Sequence, residues 1–122
     1  MTKPETEQRR FHRLWADGTA VLTVNGTEHR APLVDLSLKG VLIKKPAGLA
    51  LASDEPVTLL VLLGEGGPRI AMEGRVAHVE AEAIGICWQQ IDLDSISELR
   101  RFVELNLGDA EVLNRELSQL FT

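Results

Sequence analysis

A single cysteine, Cys87, is all the thiol chemistry the chain has. No intramolecular disulfide can form, so the fold must be held by its core, and Cys87 reads as a small apolar filler in a strand. No apolar run approaches the roughly 20 residues that a membrane-spanning helix needs. The first residues are charged and polar and lack the apolar stretch of a signal peptide. The expected address is therefore the cytoplasm, with no membrane partner. Metal-ligand spacing is also missing. His12, His29 and His78 lie far apart, and only Cys87 could join them, so no metal is expected. No nucleophile elbow surrounds a serine. Gly64-Glu65-Gly66-Gly67-Pro68 precedes no Lys-Ser/Thr pair and no helix start, so it reads as a turn and not as a phosphate loop. Without a paired acid and base, the chain is expected to be neither an enzyme nor the holder of a cofactor.

What is present suits one small domain. The chain has 122 residues, 44% of them apolar, which is enough to build a core without staples. The net charge of -5 argues against a nucleic-acid partner. The charge is uneven, however. Residues 1–45 hold 8 Lys/Arg against 5 Asp/Glu, whereas residues 46–122 hold 5 against 13. A basic first third on an acidic body suits a small anionic ligand better than a long polyanion. Nothing in the pattern calls for self-association, and a monomer is expected.

Residues 1 to about 8, with a proline and mixed charges, cannot bury enough surface to offset their ordering and read as a flexible arm. From Gly18 the pattern is β. Thr19 to Val24 is β-branched and apolar, and Asn25-Gly26 is a favoured hairpin turn. A second run extends from Thr27 to Leu38, ending with Val34, Leu36 and Leu38 on one face and Asp35, Ser37 and Lys39 on the other. Gly40 breaks it, and Val41-Leu42-Ile43 begins another strand. Val57–Leu63 is continuously apolar. Arg69–Val79 alternates, with Ile70, Met72, Gly74, Val76 and His78 sharing a face, and Ile84–Ile91 completes the set. The period then becomes helical. Ser95 and Glu98 fit a capping box, Ile96, Leu99, Val103 and Leu107 form a stripe, Gly108 is the stop, and Asp109 can cap a second short helix. About six short strands followed by one or two helices favour a closed or nearly closed barrel, because closure removes exposed edges. Trp15 and Trp88 are expected to pack against it. The acidic helix reads as a solvated face, with Arg100 and Arg101 on its polar side.

Two segments carry candidate chemistry. Strand alternation places Asp35 and Ser37 on the outer surface, because Val34, Leu36 and Leu38 take the core. Gly40 just beyond them leaves backbone open to a flat ligand. A carboxylate beside a hydroxyl and an open glycine can engage a guanine through its N1–H and amino group. Upstream, Arg9, Arg10 and Arg13 fall within five residues. Guanidinium forks bind phosphates and the O6/N7 edge of guanine, and they stack on purines. Taken singly, the first segment reads more simply as a polar strand end and the second as a solvated basic tail.

Together, Arg-x-x-x-Arg at Arg9 and Arg13 and Asp-x-Ser-x-x-Gly at Asp35, Ser37 and Gly40 resemble the paired signature of the PilZ family. Gly85, in the Gly-Ile-Cys-Trp stretch, fits as well. The resemblance runs from about Gln8 through the C-terminal helix. It implies a mainly β fold: a six-stranded antiparallel split barrel with a C-terminal α-helix and a flexible N-terminal arm. Residues 1–8 would form the arm and 9–122 the domain, with the barrel running to about 92 and the helical segment spanning about 94–120. It also implies a receptor for cyclic di-GMP, bound on the outer barrel surface. Arg9 and Arg13 would hold phosphate and guanine edges, with Arg10 an additional contact, and Asp35, Ser37 and Gly40 would surround a guanine. Relatives differ just before the first motif arginine, in a way linked to binding one or two ligand molecules. Gln8 there lacks the charge for a second molecule, which points to one. His78 is a candidate to stack on guanine, with capping of one barrel end as the alternative. Ligand would order the arginine arm and change the interaction with a protein partner of motility, chemotaxis or pilus machinery. The alternative is an interaction adaptor that needs no nucleotide.

Overall fold

Seven strands and two helices follow one another in the computed structural model, which describes residues 11–120. The strands are β1 (Leu14–Trp15), β2 (Gly18–Val24), β3 (Thr27–Leu36), β4 (Gly40–Lys44), β5 (Pro56–Leu63), β6 (Arg69–Val79) and β7 (Ala83–Ile91). The helices are α1 (Leu93–Leu107) and α2 (Ala110–Leu120). Gln8, Arg9 and Arg10, and with them the expected flexible arm, lie outside the described residues.

All pairings are antiparallel. The strand order β3-β2-β5-β6-β7-β4 closes when β4 pairs back onto β3, giving the expected six-stranded barrel. Two three-stranded meanders build it, β2-β3-β4 and β5-β6-β7, and they meet along β2–β5 and β4–β7. The first hairpin turns on Asn25 (φ 52°) and Gly26 (φ 82°), the two positive-φ positions that this turn demands. The seventh strand, β1, was not expected. It lies outside the barrel order, pairing Leu14 with Leu36 and Trp15 with Asp35 of β3.

Alternation fills the barrel. Leu22, Leu36, Ile43, Leu59, Val61, Ile70, Val76, Ile84 and Ile86 are almost fully buried, each burial contributing about 1.5–3 kcal/mol. Of three register slips, one of them between Glu73 and Gly74 where β6 pairs with β7, two bear on the site. One lies between Leu33 and Asp35 on β3, leaving Val34 only half-buried. The other lies between Val76 and His78 on β6, turning His78 outward instead of along the face of Ile70, Met72 and Val76. Trp88 packs against the core, but Trp15 does not: its indole is 85% exposed. Its neighbours Leu14 and Ala16 turn towards the core, and alternation leaves Trp15 on the outer side.

α1 closes against β6, burying Leu99 and Val103, and α2 folds back on α1 with Leu113 buried. The helix start differs from the expected capping box. Asp92 is the N-cap, accepting from the Ser95 N–H at 2.7 Å. The Ser95 hydroxyl donates to Asp92 at 3.1 Å and accepts from the Ala71 N–H at 2.9 Å, which ties the helix to the barrel wall. Asp92 takes the cap because the Ser95 hydroxyl is engaged by the Ala71 N–H of the barrel wall and by Asp92 itself. Gly108 (φ 71°) ends α1, and Asp109 caps α2 through the N–H groups of Glu111 and Val112, both as expected. Glu116 of α2 is fully buried.

Candidate ligand-binding site

β3 ends at Leu36, and the chain turns at once into β4. Ser37 makes that turn. Its backbone N–H donates to the Gly40 carbonyl at 3.0 Å, and its hydroxyl oxygen accepts from the N–H groups of Gly40 (3.1 Å) and Lys39 (3.4 Å). Ser37 therefore departs from expectation: it is buried, and its hydroxyl serves the local backbone. The reason is that the strand has already ended, so the alternation that put Ser37 beside Asp35 no longer holds. Gly40 also has a stronger reason to be glycine than openness. A Cβ there would stand 2.6 Å from the Ile86 carbonyl oxygen, so β4 can approach β7 this closely only without one.

Trp88 fixes the turn from below. Its indole N–H donates to the Leu38 carbonyl at 2.8 Å and its backbone N–H to that of Lys39 at 3.2 Å. The Lys39 ammonium donates to the Trp88 carbonyl at 3.2 Å and lies 4.4 Å from the ring centroid.

Beside the turn stands Asp35, facing outward as expected. Arg13 reaches it from 22 residues away in the chain, with Nε donating at 3.2 Å and Nη2 at 3.0 Å, both to Oδ2. Among the described residues, Asp35 Oδ1 takes no bond. The pair is partly exposed, Arg13 at 35% and Asp35 at 14%. On the far side, the His78 ring lies over Gly85. A Cβ on Gly85 would fall 2.3 Å from the ring, so the glycine is the seat of the imidazole. His78 Nε2 also meets Glu80 at 3.3 Å.

These groups surround a cleft of about 520 Å³ on the outer barrel wall. Arg13, Asp35, Ser37, Gly40 and His78 all line it, with Lys39, Glu80 and Gly85. Reasoning on the sequence missed Phe11, Leu42 and Cys87, which also border the cleft. Phe11 sits inside the arginine segment, two residues before Arg13, and that adjacency was its only signal. A second hollow of about 820 Å³ opens near the start of α1. Its charged lining residues are Glu73 and Asp92, with no cation, so it is a poor host for an anion.

One further contact bears on the arm. The His12 N–H donates to Glu116 Oε2 at 3.0 Å, and the His12 ring meets the same oxygen through Nδ1. The other oxygen, Oε1, is buried and has no hydrogen-bond partner among the described residues. The residue just before Arg13 is thus held by the second helix.

Three solved structures share this architecture. The inhibitor of motility of Bacillus subtilis (MotI/DgrA) matches with a TM-score of 0.68 and 18% identity over 78% of this chain. This chain spans about half of that protein, 48% of its length. The PilZ domain of CeSA from a cellulose-synthesizing bacterium matches with a TM-score of 0.59 and 18% identity, covering 80% of this chain and 96% of that one. The PilZ domain of YcgR from Escherichia coli, solved with c-di-GMP, gives 0.62 and 17%, covering 84% and 94%. Identities this low speak for the fold. The sequence itself matches the PilZ domain family model over residues 7–105, most of its length, and the chain belongs to the PilZ domain family.

Proposed function

We propose that this chain is a receptor for cyclic di-GMP, acting as a cytoplasmic monomer without catalysis of its own. The observation that carries the reading is the meeting of Arg13 and Asp35, 22 residues apart, at the mouth of a cleft walled by the Ser37–Gly40 turn and by His78. Asp35 accepts from the N1–H and amino group of a guanine with its unused oxygen. Arg13 offers its fork to a phosphate or to the guanine O6/N7 edge. Ser37 and Gly40 act by shaping the turn, and His78 lies flat against the purine. Arg9 and Arg10 supply further phosphate contacts, and Gln8 favours one ligand molecule over two. The c-di-GMP complex of the YcgR domain supports the choice of ligand, and the name of MotI supports a partner in motility control. Ligand then orders the arginine segment and changes the surface that a partner protein meets.

Calorimetric titration with cyclic di-GMP tests this. The wild type is expected to bind with a stoichiometry of one. Losing a hydrogen bond to a charged group costs about 1.5–3 kcal/mol, so Arg13→Ala and Asp35→Ala should each weaken binding by roughly tenfold or more. Absence of binding in the wild type, or unchanged affinity in both variants, would refute the reading.

A further inference from the structure

The strands around the cleft contribute one residue each to a single transverse row. Trp15 pairs with Asp35, Asp35 with Leu42, Leu42 with Gly85, and Gly85 with His78. Residues directly paired on adjacent strands point to the same face. That face is the outer one: the preceding pair, Leu14 and Leu36, turns inward, with Leu36 fully buried. The row therefore has a flat ring at each end, the Trp15 indole and the His78 imidazole. Between them lie a carboxyl group and a low floor of Leu42 and Gly85.

Among the described residues, nothing gives Trp15 a structural reason to be tryptophan. It is 85% exposed, and β1 is held by the inward side chains of Leu14 and Ala16. A tryptophan exposed to that degree is rare, since its large apolar surface gains most from being covered. It stands two residues from Arg13 along extended chain, and it is paired with Asp35. These are the two groups that mark the mouth of the cleft. From Trp15 to Gly85 the row crosses three strand spacings of about 4.8 Å each, a width that separates two bases across Asp35.

We infer that Trp15 is a stacking platform for the second purine of the bound dinucleotide. One guanine enters the cleft between the Ser37–Gly40 turn and His78, and the other lies on the Trp15 indole. Every base presents a π-face, and an exposed indole gains from covering it. The inference rests on the cyclic di-GMP reading above.

The chain has only two tryptophans, so fluorescence can locate the contact. Cyclic di-GMP should change the emission of the wild type saturably, and that change should be largely lost in Trp15→Phe. Calorimetry should show Trp15→Ala and Trp15→Leu weakened about five- to tenfold, the low end of base stacking at an exposed site, with Trp15→Phe close to the wild type. Circular dichroism of the three variants should match the wild type, because the side chain packs against little. Wild-type affinity in Trp15→Leu would overturn stacking, and wild-type affinity in Trp15→Ala would overturn any ligand contact there, leaving Trp15 to a protein partner. Either result with normal wild-type binding leaves the receptor reading intact. Absence of wild-type binding would overturn both.

Discussion

Removing the His12 side chain should cost stability in an amount set by what it leaves behind in Glu116. The Glu116 carboxyl group is fully buried, and its Oε2 is served by the backbone and ring of His12. Its Oε1 already lacks a partner among the described residues. A buried polar group deprived of its hydrogen bond costs about 1–3 kcal/mol. His12→Ala keeps the backbone bond and loses the ring contact, so the lower half of that range applies, about 1–2 kcal/mol. Glu116→Leu behaves differently. It removes the unsatisfied oxygen together with the satisfied one and fills the space with apolar atoms. The N–H it releases belongs to a residue whose side chain is 51% exposed, where water can replace the lost acceptor. A net change within about 1 kcal/mol is expected. In the Glu116→Leu background, His12→Ala should then cost almost nothing, a coupling of at least about 1 kcal/mol. Urea denaturation followed by circular dichroism measures all four corners of the cycle, with equal m-values required for the comparison. Additive effects, or a Glu116→Leu variant less stable than His12→Ala, would refute the account.

The glycines at the cleft should separate stability from binding. Gly40→Ala drives a Cβ to 2.6 Å from a backbone oxygen and should destabilise the barrel by more than about 2 kcal/mol in urea. Gly85→Ala meets the His78 ring first, and that ring is 49% exposed and can swing away, so the substitution should weaken cyclic di-GMP binding with little change in stability. Ser95→Ala strips a buried acceptor from the Ala71 N–H and a donor from the Asp92 cap, and the midpoint of unfolding should fall by an amount matching about 1–3 kcal/mol, with ligand affinity unchanged.

The strands were legible because apolar alternation and Asn25-Gly26 are local signals, and closure followed from the number of short strands. Failures came where a pattern was extended past a break. Ser37 was placed with Asp35 by a period of two that stops at Leu36, and His78 was kept with Val76 across a bulge. Neither break has a residue that announces it. The helix start was misassigned although Asp92 stands in view, since Ser95 and Glu98 satisfy the same spacing rule three residues on. β1 escaped notice because two residues form no period. The burial of Glu116 was within reach: it lies three residues after Leu113 and beside Leu117, on the apolar side of α2. The candidate cleft was legible as a pair of motifs. The Arg13–Asp35 contact that unites them, and the seat of His78 on Gly85, depend on the barrel wall bringing separate strands side by side.

Because the barrel is two meanders, the cleft is shared property. Asp35 and the Ser37–Gly40 turn come from the first, and His78, Glu80 and Gly85 from the second. They meet where β4 pairs with β7, through Gly40 with Cys87 and Leu42 with Gly85. Neither half alone carries more than one wall, so binding requires that this join be shut. A molecule seated there would bridge the β4–β7 seam, one of the two ladders along which the halves meet, the other being β2–β5 on the far side of the order.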